Sequence, residues 1–219
     1  MTDVHVVRRE NMRLYARELD QYFRARHAVY VEERGWTELG QPDGREIDRY
    51  DTDDAIHLLA IDKARVVGGH RFVPTMGPTM IADVFPHLAV RGPIRSPNVY
   101  ETSRIFVVRD RRGDQSFPKV ESLVLAGTVE FALMEGFKQL TFVMETWWYP
   151  RLEDIGWRLR PLGVPTDIKG MSCIAVTVDV NEQTWLATCE ARAVPGPVLV
   201  WRGLRRPALN LPARLQATG

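Results

Sequence analysis

Residues 98–109 read N-V-Y-E-T-S-R-I-F-V-V-R, and this stretch has the clearest strand pattern in the chain. Successive side chains of a strand point to opposite faces of a sheet. The alternation predicts one row of Val99, Glu101, Ser103, Ile105 and Val107, and an opposite row of Tyr100, Thr102, Arg104, Phe106 and Val108. Both rows carry a charged residue among apolar ones, so the middle of this strand is a candidate functional site.

The segments around this strand alternate between strands and helices. Apolar residues at steps of three and four predict helices over residues 11–34, 80–88, 118–138 and 147–155. Apolar runs predict strands over residues 56–61, 66–73, 140–144 and 173–179, and an edge strand over 197–201. This order predicts a layered α/β fold. We expect a single domain over residues 1–201, followed by a basic, proline-containing tail over residues 202–219.

The predicted helix over residues 11–34 carries one unexpected charge. Its apolar face consists of Tyr15, Leu19, Tyr22, Phe23, Val29 and Tyr30. Asn11 stands where an N-cap is expected. Arg26 shares the apolar face, and a buried guanidinium needs a carboxylate or a ligand because an unpaired buried charge is costly. The alternative is a long stem that carries the charge to water.

Composition excludes several classes of protein. The chain has 219 residues, 45% hydrophobic and 26% charged, which is typical of a globular protein. Its 29 Lys+Arg and 28 Asp+Glu give a formal net charge of +1, so no nucleic-acid partner is expected. No apolar run is long enough for a signal peptide or a membrane span, so no membrane partner is expected either.

Metal and redox chemistry are not expected. Cys173 and Cys189 are too few for a disulfide framework, which fits a reduced, cytoplasmic protein. The histidines are scattered, and we interpret His57, His70 and His87 as structural. The chain lacks a phosphate-binding loop that ends in Lys-Ser/Thr, and it lacks a G-x-S-x-G elbow.

A long, acidic connection follows the first helix. Residues 35–54 are rich in Gly, Pro and Asp. Connections of this length are often lids or binding loops. Further on, Gly68-Gly69 lie inside a predicted strand and indicate a bulge or a close approach of backbones.

Five blocks of residues in a fixed order form a signature. They are R-x-x-V-Y-x-E-E-R-G-W (Arg26 to Trp36), E-I-D-R-Y-D (Glu46 to Asp51), H-R-F-V-P-T (His70 to Thr75), M-I-A-D-V-F-P (Met80 to Pro86) and Y-E-T-S-R-I-F-V (Tyr100 to Val107). The set resembles the LuxI-type acyl-homoserine-lactone synthases. This resemblance implies the fold of acyl-CoA N-acyltransferases: a single three-layer domain with a mixed, twisted sheet and helices on both faces.

The resemblance also implies a reaction. The substrates would be S-adenosyl-L-methionine and an acyl thioester on coenzyme A or acyl carrier protein, with no cofactor. The products would be an acyl-homoserine lactone, which is a quorum-sensing signal, methylthioadenosine and the free thiol carrier.

The matched positions imply roles for charged residues. Glu101 would take the proton from the α-amine, which must be neutral before it attacks the thioester; the alternative is a structural pair with Arg26 or Arg71. Asp48 and Asp51 would face the cationic substrate. Arg26 and Arg71 would bind the substrate carboxylate or restrain the acidic loop.

Aromatic and neighbouring residues complete the predicted site. Trp36 would offer a ring face to the cation or the adenine, or else pack at a helix end. Tyr30, Ser103, Arg104 and Phe106 complete the substrate-binding set, and Arg104 would fix the loop or meet the thioester carrier. One cleft would then hold three positive and three negative charges, from Arg26, Arg71, Arg104, Asp48, Asp51 and Glu101.

The chain departs from the family pattern at two positions. The family usually has Phe where this chain has Tyr30 and Ile105. Synthases that prefer 3-oxo chains tend to carry Thr near Met144, so the resemblance favours a plain acyl group. Trp147 and Trp148 would close the acyl pocket with Met144. A short, branched or aryl acyl group from coenzyme A is the prediction.

Three rival interpretations remain. A general acyl-CoA N-acyltransferase would carry a glycine-rich pyrophosphate loop after the central strand, whereas residues 109–116 hold one glycine. A non-catalytic binding module of the same fold would lack the carboxylates. An acyl carrier protein donor would favour a basic patch, which Arg158, Arg160 and Lys169 would provide unless they are ordinary surface charges.

Overall fold

The computed structural model describes residues 2–112 and 119–208. The strands are β1 (Thr2–Val7), β2 (Ile56–Asp62), β3 (Arg65–Pro74), β4 (Val99–Val107), β5 (Gln139–Glu145), β6 (Leu159–Pro161), β7 (Thr166–Ile168), β8 (Met171–Asp179) and β9 (Leu199–Val200). The α-helices are α1 (Ala16–Arg26), α2 (Met80–Asp83), α3 (Lys119–Met134), α4 (Trp148–Glu153) and α5 (Glu182–Ala191). The strands pair both parallel and antiparallel, which confirms the predicted α/β fold with a mixed sheet.

The described residues group into two compact units. The first contains residues 2–72, 104–112, 119–127 and 198–206, and its strands follow the order β9-β1-β2-β3-β4. The second contains residues 73–103 and 128–197, and there β4, β5, β8 and β6 are neighbours, with β7 also pairing with β8. The boundary of a single domain at residue 201 stays a prediction.

The first unit has three layers. Leu59, Ile61 and Phe106 pack with α1 residues in one apolar cluster. Ala60 and Val107, which neighbour them in sequence, pack with α3 in another. Because adjacent strand residues point to opposite faces, α1 and α3 cover opposite faces of the strands of this unit.

Glycines allow close contacts within this unit. A Cβ on Gly68 would lie 2.8 Å from the Phe106 carbonyl oxygen, and one on Gly69 would lie 2.3 Å from the Leu58 carbonyl oxygen. The pairing of β2 with β3 shifts register at Ala60. The predicted bulge and close approach at Gly68-Gly69 are therefore confirmed.

The predicted first helix is divided into three segments. A 3-10 turn (Met12–Tyr15) precedes α1, and a π-helix (His27–Glu33) follows it. The predicted apolar face is buried or partly buried, as expected. The predicted N-cap role of Asn11 is wrong, since its side chain caps no helix N–H. Its amide nitrogen instead donates to the carbonyls of Val6 and Arg202, and its amide oxygen accepts from Arg8 N–H, so both ends of the side chain bond backbone groups outside the helix.

The second unit packs α2 beneath part of its strands. Ile81, Leu88 and Ala175 form one apolar cluster. Beyond it, the rings of Tyr100 and Phe137 stack at 3.8 Å. The helix predicted over residues 80–88 is divided into α2 and a 3-10 turn (Pro86–Leu88). The Thr79 hydroxyl caps α2 by accepting from Ala82 N–H. The N–H groups of Met80 and Ile81 at the start of α2 donate to Glu101 on β4, so α2 is bonded to the first half of β4.

Some elements were not predicted, or were predicted with other bounds. The strands β1, β6 and β7 and the helix α5 have no counterpart in the sequence analysis. The predicted helix over residues 118–138 begins with Pro118, which lies outside the described residues, and α3 ends at Met134. In the predicted tail, Arg202 contacts Asn11 and the Tyr15 ring, while residues 209–219 lie outside the described residues.

Within the described residues, the helices are all too short or too polar to cross a membrane.

Candidate active site

Three arginines and three carboxylates of the first unit form a closed ring of ion pairs, which we call the charge ring. Each arginine contacts two carboxylates, and each carboxylate contacts two arginines. In order around the ring, the members are Arg26, Glu46, Arg104, Asp48, Arg71 and Asp51. The arginines lie on α1, β3 and β4, and the carboxylates all come from the connection before β2. The charge ring therefore ties this acidic connection to one helix and two strands.

Several contacts in the charge ring are short and bidentate. Arg26 donates from Nε to Glu46 at 2.6 Å, and from its two terminal nitrogens to both Asp51 oxygens at 2.7 and 3.0 Å. Arg71 donates to both Asp48 oxygens at 2.5 and 3.0 Å. Bidentate, charge-assisted bonds are stronger than neutral ones and fix the geometry of both partners. The side chains therefore hold defined positions.

Water reaches the charge ring at one point. Five of its side chains are 0–5% exposed, whereas Asp48 is 17% exposed. Buried charges lose their hydration, so they persist only where partners compensate them. Here three positive and three negative formal charges cancel. Asp48 is therefore the most exposed member of the charge ring.

The charge ring shifts the pKa values of Asp51 and Arg71. Burial alone would raise the pKa of Asp51, but the neighbouring Arg26 and Arg71 outweigh burial and hold that pKa well below its ordinary value. Burial alone would lower the pKa of Arg71, but Asp51 and Asp48 outweigh it and raise that pKa. These groups therefore stay charged at physiological pH.

The acidic connection is also held by its own backbone. The Asp51 carboxylate accepts from Asp48 N–H at 2.9 Å, and the Asp48 carboxylate accepts from Tyr50 N–H at 2.9 Å. Such local side-chain bonds stabilise turns. The Glu46 N–H donates to the Phe23 carbonyl of α1 at 3.1 Å. These bonds hold the loop in place against α1.

Two interpretations of the sequence change here. Arg26 is fully buried and paired, so the alternative in which its stem reaches water is wrong. The predicted cluster took Glu101 as its third carboxylate, whereas the charge ring closes with Glu46. Glu46 stands two residues before Asp48 in the E-I-D-R-Y-D block, which was the available signal. Periodicity does not assign partners inside an irregular loop, so this residue was missed.

Arg104 reaches the charge ring from an unusual backbone conformation. Its φ is +57°, in the left-handed region. It donates from Nε and Nη2 to the two Glu46 oxygens, both at 3.1 Å. Phe106, predicted in the same row of β4 as Arg104, packs in the apolar cluster with α1. Ile105, predicted in the opposite row, is 45% exposed. Phe106 is a core residue here, which favours packing over substrate contact.

Tyr30 and Trp36 lie beside the charge ring. Their rings stack at 5.5 Å between centroids, with 23° between the planes. The guanidinium carbon of Arg34 lies 5.5 Å from the Trp36 centroid, so this ring already has a cation on it. The Tyr30 hydroxyl donates to the Ile105 carbonyl at 2.7 Å. The two positions at which the chain departs from the family pattern are thus joined by one hydrogen bond.

Glu101 lies in the second unit, three positions before Arg104 on β4. It is 2% exposed, and its two oxygens accept from the N–H groups of Met80 and Ile81 at 2.8 and 2.9 Å. Two backbone donors suit an ionised carboxylate and fix its orientation. Glu101 is therefore a buried carboxylate whose position is fixed by α2. Ser103, two residues further on, is partly exposed.

The residues predicted for the acyl pocket also belong to the second unit. Met144 is buried on β5, and the rings of Trp147 and Trp148 stack at 4.7 Å. Trp147 is 44% exposed, with the Arg151 guanidinium carbon 4.6 Å from its centroid and its indole N–H donating to Glu145. Trp147 therefore lies at the surface of this unit and not at the closed end of a tunnel within it.

The predicted basic patch is partly neutralised. Arg160 donates to both oxygens of Asp179, at 2.5 and 2.6 Å. That pairing leaves less positive charge at this position for an acidic partner protein.

Two histidines of the first unit are buried: His57 on β2 and His70 on β3. Burial lowers the pKa of His57 and of His70 to about 3. The unfolded chain takes up these protons from about pH 6.5 downwards, whereas the folded chain does not. We expect the free energy of unfolding to fall as the pH falls from about 6.5 towards 3, by about 1.4 kcal/mol per pH unit for each histidine.

Urea denaturation at pH 7.5, 6.0 and 5.0 measures this dependence. His57→Gln is expected to flatten the slope, whereas His87→Gln, which changes an exposed histidine, leaves it unaltered. An equal slope in the wild type and in His57→Gln would contradict the expectation.

Comparisons with known proteins show the family to which the chain belongs. The family model described as autoinducer synthase matches residues 10–187. The chain belongs to this family. This autoinducer synthase is 46% identical over 182 residues to the isovaleryl-homoserine lactone synthase of Bradyrhizobium diazoefficiens. The aligned region covers 83% of this chain and 81% of that protein. The family predicted from the five sequence blocks is therefore confirmed.

Solved structures of acyl-homoserine lactone synthases also match this autoinducer synthase. BjaI, a CoA-dependent acyl-homoserine lactone synthase solved with SAM and isopentyl-CoA, matches with a TM-score of 0.86 and 40% identity, covering 99% of both chains. MesI, a CoA-dependent acyl-homoserine lactone synthase, matches with a TM-score of 0.83 and 36% identity, covering 90% of this chain and 98% of that one.

Proposed function

We propose that this autoinducer synthase transfers a short, branched acyl group from coenzyme A to the α-amine of S-adenosyl-L-methionine and then closes the homoserine lactone. The observation that carries the proposal is the likeness to BjaI, a CoA-dependent synthase solved with SAM and isopentyl-CoA, over 99% of both chains. The 46% identity to an isovaleryl-homoserine lactone synthase supports the branched acyl group. Both substrates are made inside cells, so a cytoplasmic location is part of the proposal.

The first step is acyl transfer. An α-amino group titrates near about 8, so a carboxylate acting directly or through one water can take its proton. Glu101 is assigned this role, because its carboxylate is buried and is fixed by two N–H donors, and because it stands at the position to which the family resemblance assigns the base. The neutral nitrogen then attacks the thioester carbon, a C–N bond forms, and the C–S bond breaks to release coenzyme A as the thiol.

The second step closes the lactone. A carboxylate oxygen of the acylated substrate attacks its γ-carbon and forms a C–O bond. The bond between that carbon and the sulfonium sulfur breaks, and methylthioadenosine leaves as a neutral thioether. The ring closure is intramolecular, so orientation of the substrate supplies much of the required help.

The charge ring is assigned to substrate binding. Asp48, its most exposed carboxylate, would face the ammonium or the sulfonium, and Trp36 would offer its ring to the same cation or to the adenine. Arg26, Arg71 and Asp51 are buried among their partners, which favours a positioning role over direct contact. Fixed dipoles and charges of this kind stabilise charge without rearranging during the reaction.

The acyl pocket is assigned to Met144 and Trp148, with the exposed Trp147 at its rim. Their bulk favours a short chain, since a long one needs open space along its whole length.

Purified protein is expected to form isovaleryl-homoserine lactone from S-adenosyl-L-methionine and isovaleryl-CoA, as measured by mass spectrometry. A panel of linear and aryl CoA thioesters and of acyl carrier proteins sets the donor preference. S-adenosylhomocysteine is the matched control, because it has the amine but no sulfonium and therefore gives no lactone.

Three other outcomes are distinguishable. Lactone from acyl carrier protein alone would replace the coenzyme A donor, and an acylated amine without lactone would indicate a general N-acyltransferase. No acyl product from any donor would contradict the proposal.

A further inference from the structure

Tyr30 contacts three features at once. It lies in the π-helix His27–Glu33 and is 6% exposed. Its hydroxyl donates to the Ile105 carbonyl at 2.7 Å, its ring stacks on Trp36, and the guanidinium carbon of Arg104 lies 5.4 Å from its ring centroid. One side chain therefore links the helix to β4 and to the aromatic residue beside the charge ring.

The backbone next to this hydroxyl is strained. Arg104 has a φ of +57°, in the left-handed region that a residue other than glycine rarely adopts. Such conformations persist where the surroundings fix the chain on both sides. Glu46 fixes the guanidinium of Arg104, and the Tyr30 hydroxyl fixes the peptide carbonyl of the following residue. The hydroxyl thus helps to hold Arg104 in the conformation that the charge ring requires.

Trp36 depends on Tyr30 through both its backbone and its ring. The Trp36 N–H donates to the Tyr30 carbonyl at 3.0 Å, and Gly35 between the helix and Trp36 has a φ of +72°. The stacked rings fix the plane of the indole. A half-buried Trp36 without this stack would have more than one orientation available.

We propose that Tyr30 is a positioning residue, which fixes Arg104 through its hydroxyl and orients Trp36 through its ring, and so sets the affinity for S-adenosyl-L-methionine. The inference rests on the proposed function for its substrate. The Tyr30 ring contacts both Arg104 and Trp36, so we assign its action to these two residues.

Tyr30→Phe tests the hydroxyl while keeping the ring. We expect KM for S-adenosyl-L-methionine to rise about three- to tenfold, the size of one neutral hydrogen bond, with kcat changed less than about twofold. Hydrogen exchange of the amides over residues 104–107 and 34–38 is expected to quicken, because local opening becomes easier.

Tyr149→Phe is the matched control. The Tyr149 hydroxyl also donates to a backbone carbonyl, that of Leu159 at 3.2 Å, so its loss removes the same kind of bond elsewhere. We expect it to leave KM for S-adenosyl-L-methionine and the exchange of residues 34–38 and 104–107 unchanged.

Two results would overturn the proposal. One is an unchanged rate of amide hydrogen exchange in Tyr30→Phe over residues 104–107 and 34–38. This measurement needs no turnover, so it tests the positioning role of Tyr30 even if the wild type forms no lactone and the proposed function fails. The other is a lower Tm with an unchanged KM, which would reduce the hydroxyl to a purely structural bond.

Discussion

Glu101→Gln is expected to lower kcat about 10²- to 10⁴-fold, the range for loss of a general base, while binding of S-adenosyl-L-methionine stays within a few-fold of the wild type. An amide cannot take a proton from the substrate amine. It also offers a single acceptor oxygen, whereas the N–H groups of Met80 and Ile81 need two. Turnover per folded molecule, the Kd for S-adenosyl-L-methionine by calorimetry and Tm are the measurements.

Two further variants separate chemistry from folding. Glu101→Asp keeps the charge and moves it back by one methylene, so it is expected to retain more turnover than Glu101→Gln. Glu130→Gln removes another fully buried carboxylate of the second unit, which lies on α3 and not on β4, and is expected to keep kcat near the wild-type value. Near-normal turnover by Glu101→Gln would remove Glu101 as the base.

Arg26→Met is expected to lower the free energy of unfolding by about 3–5 kcal/mol, because it leaves two buried carboxylates without their shared cation. Those carboxylates are Glu46 and Asp51, whose side chains are 0% and 2% exposed. Methionine keeps an apolar stem against Tyr22 and Phe23, whose ring centroids lie 5.3 Å from the guanidinium carbon. The expected decrease in the free energy of unfolding is therefore due to the lost charge and not to a cavity. Urea denaturation measures it.

Arg24→Met is the matched control two residues away on α1. Arg24 pairs with Asp20, and the two side chains are 53% and 45% exposed. Exposed pairs contribute about 0–1 kcal/mol, so we expect little change. Equal effects of the two substitutions would show that the charge ring does not stabilise the fold.

The sequence predicted most of the layered fold, because burial imposes a period on helices and strands. The face of the first helix, the strand around residues 98–109 and the close backbone approach at Gly68-Gly69 all follow from such local patterns. The π-helix at the end of that helix could not be predicted in this way. A change from the α-helical to the π-helical hydrogen-bond pattern leaves the spacing of apolar residues nearly the same. The short strands β6 and β7 carry too few residues to show a period.

The site divides in the same way. The family, and the candidate status of Arg26, Asp48, Asp51, Arg71 and Arg104, came from the sequence alone, because residue types in a fixed order indicate chemistry. Which carboxylate meets which arginine came only from the tertiary structure. Glu46 and Arg104 are distant in sequence, and their pairing depends on where an irregular loop crosses a strand.

The sequence by itself therefore determined the fold class, the family and five of the six residues of the charge ring, but not Glu46. Only the tertiary structure decided that these residues form a closed ring with Glu46, that Glu101 is held by the N–H groups of α2, and that Tyr30 connects Arg104 to Trp36. The physical reason is that patterns along a chain report which side chains are buried, whereas hydrogen-bond partners are set by distances between segments that the chain brings together.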